Sequence, residues 1–170
     1  MKFDTYKYIP KKEAGNAAVF AGIFIAATAA LWIMPFFIHN FRLIYQLSGV
    51  VTATIAVQIT TRFIISGYIY ILDKTDFIIV RANGKKSVRV CNISLETAVG
   101  ISESNKKFAE IEKQFGKIDA RLNYCQNLFP DKTYSYIFDF NDKKTLIKFE
   151  CDKFFIAEMK RRIEYAKLNG

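Results

Sequence analysis

Apolar and polar positions follow three rhythms along this chain. Residues 17–38 are 22 consecutive positions without a charge, ten of them Val, Ile, Leu or Phe. As a helix that run is about 33 Å long, against about 30 Å of hydrocarbon in a bilayer. Its ten large apolar residues contribute about −3 to −6 kcal/mol to insertion, which outweighs Thr28. Pro35 falls in the last turn, where a kink does little harm. A second uncharged run covers 19 residues, 43–61, and Phe63, Ile64 and Ile65 follow Arg62. This run is more polar, with Gln46, Ser48, Thr52, Thr54, Gln58, Thr60 and Thr61, so it needs a partner helix. Arg62 is placed to snorkel to an interface. The pattern predicts two transmembrane helices, 17–38 and 43–65, joined by residues 39–42. A cleaved leader has an apolar region of only about 7–15 residues. Two buried helices of a soluble protein fit the pattern less well than a hairpin.

Small residues mark faces on both runs. Ala18, Gly22, Ala26 and Ala30 recur every fourth position on the first, and Ser48, Thr52, Ala56 and Thr60 on the second. Small side chains let helix backbones approach, and hydroxyls bond across the seam. Packing within the hairpin is favoured over a dedicated oligomerisation face. Gln58, the amide deepest in either run, reads as an interhelical hydrogen bond.

Beyond residue 66 the period shortens. Residues 68–72, 77–81 and 87–92 are β-branched and aromatic and read as strands, with Asp73-Lys74-Thr75 and Asn83-Gly84 as turns. Residues 93–101 form a short fourth element. Phe108, Ile111, Phe115 and Ile118 keep a three/four spacing, which predicts an amphipathic helix over 105–118, weakened at its end by Gly116. Strands are expected again at 121–126, 134–140 and 145–151. Tyr134, Tyr136, Phe138 and Phe140 share one strand face, and Asn141-Asp142-Lys143 is a turn. Asp152 is placed to cap a terminal helix with the stripe Phe155, Ile156, Met159 and Ile163. The fold class is therefore a membrane α-hairpin plus an α+β cytoplasmic domain. Residues 1–16 are a cytoplasmic N-terminal segment, 17–66 the hairpin and 67–170 the domain.

This order of elements resembles the bacterial pleckstrin-homology-like (YcxB-like) membrane proteins. The matching pieces are Tyr68-Ile69-Tyr70-Ile71-Leu72 after the second span, the hairpin at Asn83-Gly84, and the terminal helix over 152–168. The resemblance implies a bent antiparallel sheet or partial barrel closed by the C-terminal helix. The helix at 105–118 departs from the simplest version of that plan.

Charge adds orientation. The chain is 51% hydrophobic, which excludes a disordered chain, and carries a net charge of +9. Lys2, Lys7, Lys11 and Lys12 precede the first span, whereas the connection carries only Arg42. The positive-inside rule places both termini in the cytoplasm, in a multi-pass protein of the cell (inner) membrane. Residues 67–170 hold 19 Lys/Arg against 14 Asp/Glu, a net of +5.

Candidate chemistry is sparse. Cys91, Cys125 and Cys151 are 34 and 26 residues apart without a ligand motif, and they read as reduced core residues. His39 lies in the connection and reads as an interfacial polar residue. There is no Gly-x-Ser-x-Gly elbow, no Gly-rich phosphate loop and no histidine base in the cytoplasmic part. Glu110 and Glu112 read as solvated surface. Asn92-Ile93-Ser94 matches a glycosylation acceptor, but on the cytoplasmic side it would not meet the enzyme. No catalytic, cofactor or metal site is expected, and no enzyme.

The basic residues Arg81, Lys85, Lys86 and Arg89 cluster on one hairpin, and Lys160, Arg161 and Arg162 on the last helix. Anionic lipid attracts such groups at about 1 kcal/mol each near the surface. A solvated surface with ordinary positive-inside bias is the simpler account of them. Aromatic residues alternate as core strands and not as a stacking platform, so no nucleic acid is expected. Two functions follow. The first is a membrane-anchored scaffold or accessory protein, with a protein partner or a homo-oligomer docking at a strand edge or beside the last helix. The second is a sensor of anionic lipid or a small ligand through Arg81, Lys85, Lys86 and Arg89.

Overall fold

The structure, a computed structural model, describes residues 4–38, 41–103 and 108–169. They divide into two units. One comprises the described residues of Lys12–Gly67 together with Asn127–Phe129, and the other the rest.

The first unit is the helical hairpin. Helix α1 spans Ala14–Phe37 and α2 spans Arg42–Ile59, which continues into a π-helical turn over Thr60–Ile65. Both helical segments, each 24 residues, are long and apolar enough to cross a membrane. Ile64 carbonyl, near the end of the second, accepts a hydrogen bond from Lys12 Nζ, a cation where the helix dipole favours one. The Arg62 guanidinium lies over the Phe63 ring, 5.2 Å from its centre.

The helix seam differs from the expected one on α1. Ala18, Gly22, Ala26 and Ala30 are all exposed, and Ala17 and Ala21 are buried instead. Thr28 lies on this seam: its Oγ1 sits 2.9 Å from Thr52 Oγ1 on α2. The α2 face is as expected, with Ala56 buried and Ser48, Thr52 and Thr60 half-buried. Gly49 joins it, because a Cβ there would stand 2.6 Å from Trp32 Nε1. Gln58 is exposed and lies off the seam. The unit also holds Phe129, whose ring lies 5.6 Å from that of Phe20.

The second unit is built of two four-stranded sheets. In the first the order is β1 (Tyr6–Tyr8), β2 (Ser66–Asp73), β3 (Asp76–Asn83) and β4 (Lys86–Ser94). Residues 6–8, expected within a separate N-terminal segment, are thus an antiparallel edge strand, with Tyr6 opposite Leu72 and Tyr8 opposite Tyr70. The second sheet has the order β5 (Ala98–Glu103), β7 (Tyr134–Phe140), β8 (Lys143–Phe149) and β6 (Ala120–Asn123). Strand β6 runs parallel to β8, a pairing that local sequence does not signal. The turn after β7 has positive φ at both Asn141 and Asp142, the geometry that matches strand twist in a two-residue hairpin. Among the described residues no ladder closes the sheets into a barrel. What stands of the expected architecture is two apolar helices and a sheet-rich α+β unit.

Inward-facing residues of both sheets form one core, which helix α4 (Lys153–Asn169) covers. Asp152 caps that helix, accepting from Phe155 N at 2.7 Å. Tyr70, Phe77, Phe149 and Phe155 are fully buried and meet ring to ring. Tyr134, Tyr136 and Phe138 join them as the period predicts, but Phe140 has passed the sheet edge and is 62% exposed. Helix α3 (Phe108–Phe115) packs outside the second sheet, with Phe108, Ile111, Phe115 and Ile118 on Ile137 and Leu146. It stops at Gly116, whose φ of +88° suits the residue after a helix. Its expected first residues, 105–107, lie outside the described residues.

Candidate functional site

The basic cluster rides on the β3–β4 hairpin. Its turn lies one residue beyond the expected Asn83-Gly84 centre, at Gly84-Lys85, and only Gly84 has positive φ. That is the glycine-first class of two-residue hairpin. Arg81 faces Val88 across the ladder, Asn83 faces Lys86, and Val80 faces Arg89. Side chains at successive strand positions point to opposite faces, so Arg81 and Lys86 share one face and Arg89 takes the other. Lys85, Lys86 and Arg89 are exposed, and Arg81 is half-buried. The four cations therefore surround the hairpin rather than converge on one cavity. Val88 is 62% exposed between them.

The basic group expected on the last helix is also divided. Lys160 and Arg161 are exposed, but Arg162 is 2% exposed and belongs to the interior. Its Nε donates to Glu158 Oε1 at 2.7 Å, Nη1 to Leu72 carbonyl at 2.9 Å and Nη2 to Asp4 carbonyl at 2.6 Å. Burial alone raises the Glu158 carboxyl. Hydrogen bonds and charge from Arg162 and then Arg161 outweigh it and hold the carboxyl below its ordinary value.

A groove beside the same helix is the more developed surface. Strand β5 is the edge of its sheet, with β7 as its one ladder partner among the described residues. Between β5 and α4 lies a cleft of about 290 Å³, floored by Ile101, Tyr134, Ile156 and Ala157 and flanked by Glu103, Lys153 and Lys160. Burial, and next the Glu103 carboxylate, push the Tyr134 phenol up, so it stays neutral. An unpaired strand edge, an apolar floor and two lysines suit an extended chain with an acidic residue. Sequence reading reaches the groove beside the last helix but not its residues. Ile101 and Ile156 are 55 positions apart and meet only through the tertiary fold.

Cys125 and Cys151 are buried and Cys91 is half-buried, in the core as expected. Burial, with the Asp152 charge, raises the Cys151 thiol well above its ordinary value. Among the described residues, no three His, Cys, Asp or Glu side chains gather as metal ligands. His39 lies outside the described residues. The chain matches no protein-family model, no curated protein and no solved structure.

Proposed function

We propose that this chain is a two-span membrane protein that presents its sheet unit to another protein. The observation that carries the proposal is the β1–β2 pairing. The apolar hairpin is inserted between two adjacent strands of one sheet. Strands bonded to one another lie on one side of any membrane, so the hairpin leaves and returns on that side. The connections are short: residues 9–13 join β1 to α1, and β2 begins directly after the π-helical turn. The N-terminal lysines against the single Arg42 support a cytoplasmic location for that side, in a cell (inner) membrane protein. The unit then stands at the cytoplasmic face, in keeping with the pleckstrin-homology-like plan, and the β5–α4 groove takes an extended acidic segment of the partner.

A photoreactive amino acid at Ala157, in the full chain in intact cells, tests this. The expected result is one reproducible protein adduct, absent when the same group replaces exposed Lys143. An adduct with a second copy makes the partner a homo-oligomer. Lipid adducts alone, or none, contradict the docking reading. The lipid-sensor reading keeps support from Lys85, Lys86 and Arg89, which are exposed and have no bonded partner among the described residues. Reversing these three charges leaves the Ala157 adduct unchanged if the groove docks protein, and removes it if lipid contact at the hairpin places the unit.

A further inference from the structure

The segment that departs from the pleckstrin-homology-like plan builds a cleft of its own. Helix α3 stands over the outer face of the second sheet, and about 270 Å³ of open space lies between it and strands β6, β7 and β8. Drug-sized pockets are about 300–1,000 Å³, so this one suits a smaller molecule. The strand register lays its polar groups in a row. Ser135 on β7 is opposite Lys148 on β8, and Lys148 is opposite Asn123 on β6. The next row on the same face is Ile137, Leu146 and Arg121.

The lining has a definite chemical character. Ser135 is only 3% exposed and lines the cleft. Lys148 has no ion-pair or hydrogen-bond partner among the described residues. The Arg121 guanidinium lies on the Phe108 ring, 3.1 Å from its centre. That contact holds the guanidinium at the wall of the cleft. Among the described residues no carboxylate lines the cleft, and Phe108, Ile111 and Leu146 give it an apolar wall. The Ser135 side chain offers a hydroxyl donor to an acceptor bound in the cleft. Two cations without an acidic neighbour favour an anion.

We infer that this cleft binds a small amphiphilic anion: a phosphate or carboxylate held by Lys148, Arg121 and Ser135, with a short apolar stem against Phe108 and Leu146. The site is separate from the β3–β4 hairpin and from the β5–α4 groove, and it does not rest on the docking reading. The shared chemistry admits a free metabolite or a lipid headgroup.

The test uses the full chain in nanodiscs of zwitterionic lipid, titrated with hexyl phosphate, hexanoate, hexanol and inorganic phosphate. At least one of hexyl phosphate and hexanoate is expected to bind at least tenfold more tightly than hexanol or inorganic phosphate. Lys148→Met and Arg121→Gln should each weaken that binding tenfold or more while leaving the ligand-free melting temperature within a few degrees. Ser135→Ala, a smaller change, guards against a variant that fails to fold and should weaken it severalfold. Adding phosphatidic acid to the discs separates the sources: competition with hexyl phosphate assigns a lipid headgroup, and unchanged binding assigns a free anion. Hexanol binding as tightly as the anions, binding indifferent to all three substitutions, or no binding of either anion overturns the inference.

Discussion

Replacing Phe155 by alanine is expected to remove a large part of the stability of the sheet unit. The side chain is fully buried and its ring meets Tyr6, Tyr8, Tyr70, Phe77 and Phe149 at centre distances of 5.6–6.3 Å. Those partners come from both sheets, so they cannot collapse together into the space the ring leaves. Phe→Ala at such a site costs about 3–5 kcal/mol, and folded domains have only about 5–15 kcal/mol in total. Phe154 is the built-in control, adjacent in sequence and 79% exposed. Phe154→Ala should change stability by no more than about 0.5 kcal/mol. Thermal unfolding of the full chain, followed by near-ultraviolet circular dichroism of the tyrosines, reads both. Equal effects of the two substitutions would mean that the core is not where the structure puts it.

Arg162→Met is the second large effect, and it is local in a way that Phe155→Ala is not. The guanidinium joins three elements: α4 through Glu158, β2 through Leu72 carbonyl, and the residues before β1 through Asp4 carbonyl. Removing one partner of a buried charged pair costs about 3–5 kcal/mol. Glu158 keeps some solvent and its contact with Arg161, so a value near the lower end is expected. Hydrogen exchange should quicken first at residues 6–8 and 70–72, ahead of α3. Lysine should not rescue the variant, because one ammonium cannot reach three acceptors in the planar fork that arginine offers.

The same contacts give an acid dependence. The Glu158 carboxyl is held below the ordinary value of 4.5, so the folded state favours its charged form. Its stabilisation is fully present above that value and is lost as pH falls through the lower folded value. Glu158→Gln should flatten the acid limb of the stability profile. An unchanged limb would show that Glu158 is not coupled to folding.

Elements with long periodic signals are legible in the sequence. The two apolar runs, the stripe Phe155–Ile156–Met159, the aromatic face of β7 and the α3 stripe all fall where spacing places them, because burial of one face enforces the period. Tyr6–Tyr8 is three residues between lysine-rich flanks and has no period to read. It becomes a strand only because β2, some 64 positions later, offers a ladder. The α1 seam lies one residue from the expected repeat, at Ala17 and Ala21, because small residues stand on more than one face of that helix, and the seam includes the Thr28–Thr52 hydroxyl pair. Arg162 reads as surface in a run of three cations. Only the fold brings backbone carbonyls to it. Of the candidate sites, the basic hairpin is visible as a cluster of residue types but not as two opposed faces. The β5–α4 groove and the α3–β6 cleft are made by side chains remote in sequence.

The central claim is that the hairpin crosses the membrane and returns the sheet unit to the cytoplasmic side. Labelling single introduced cysteines with a membrane-impermeant maleimide tests it most directly, with the unsubstituted chain as the blank. Arg42→Cys, in the connection between the helices, should react in intact cells, and Lys143→Cys, at the start of β8, only after the membrane is opened. Reaction of Lys143→Cys in intact cells, or protection of both sites until the membrane is opened, would contradict the account.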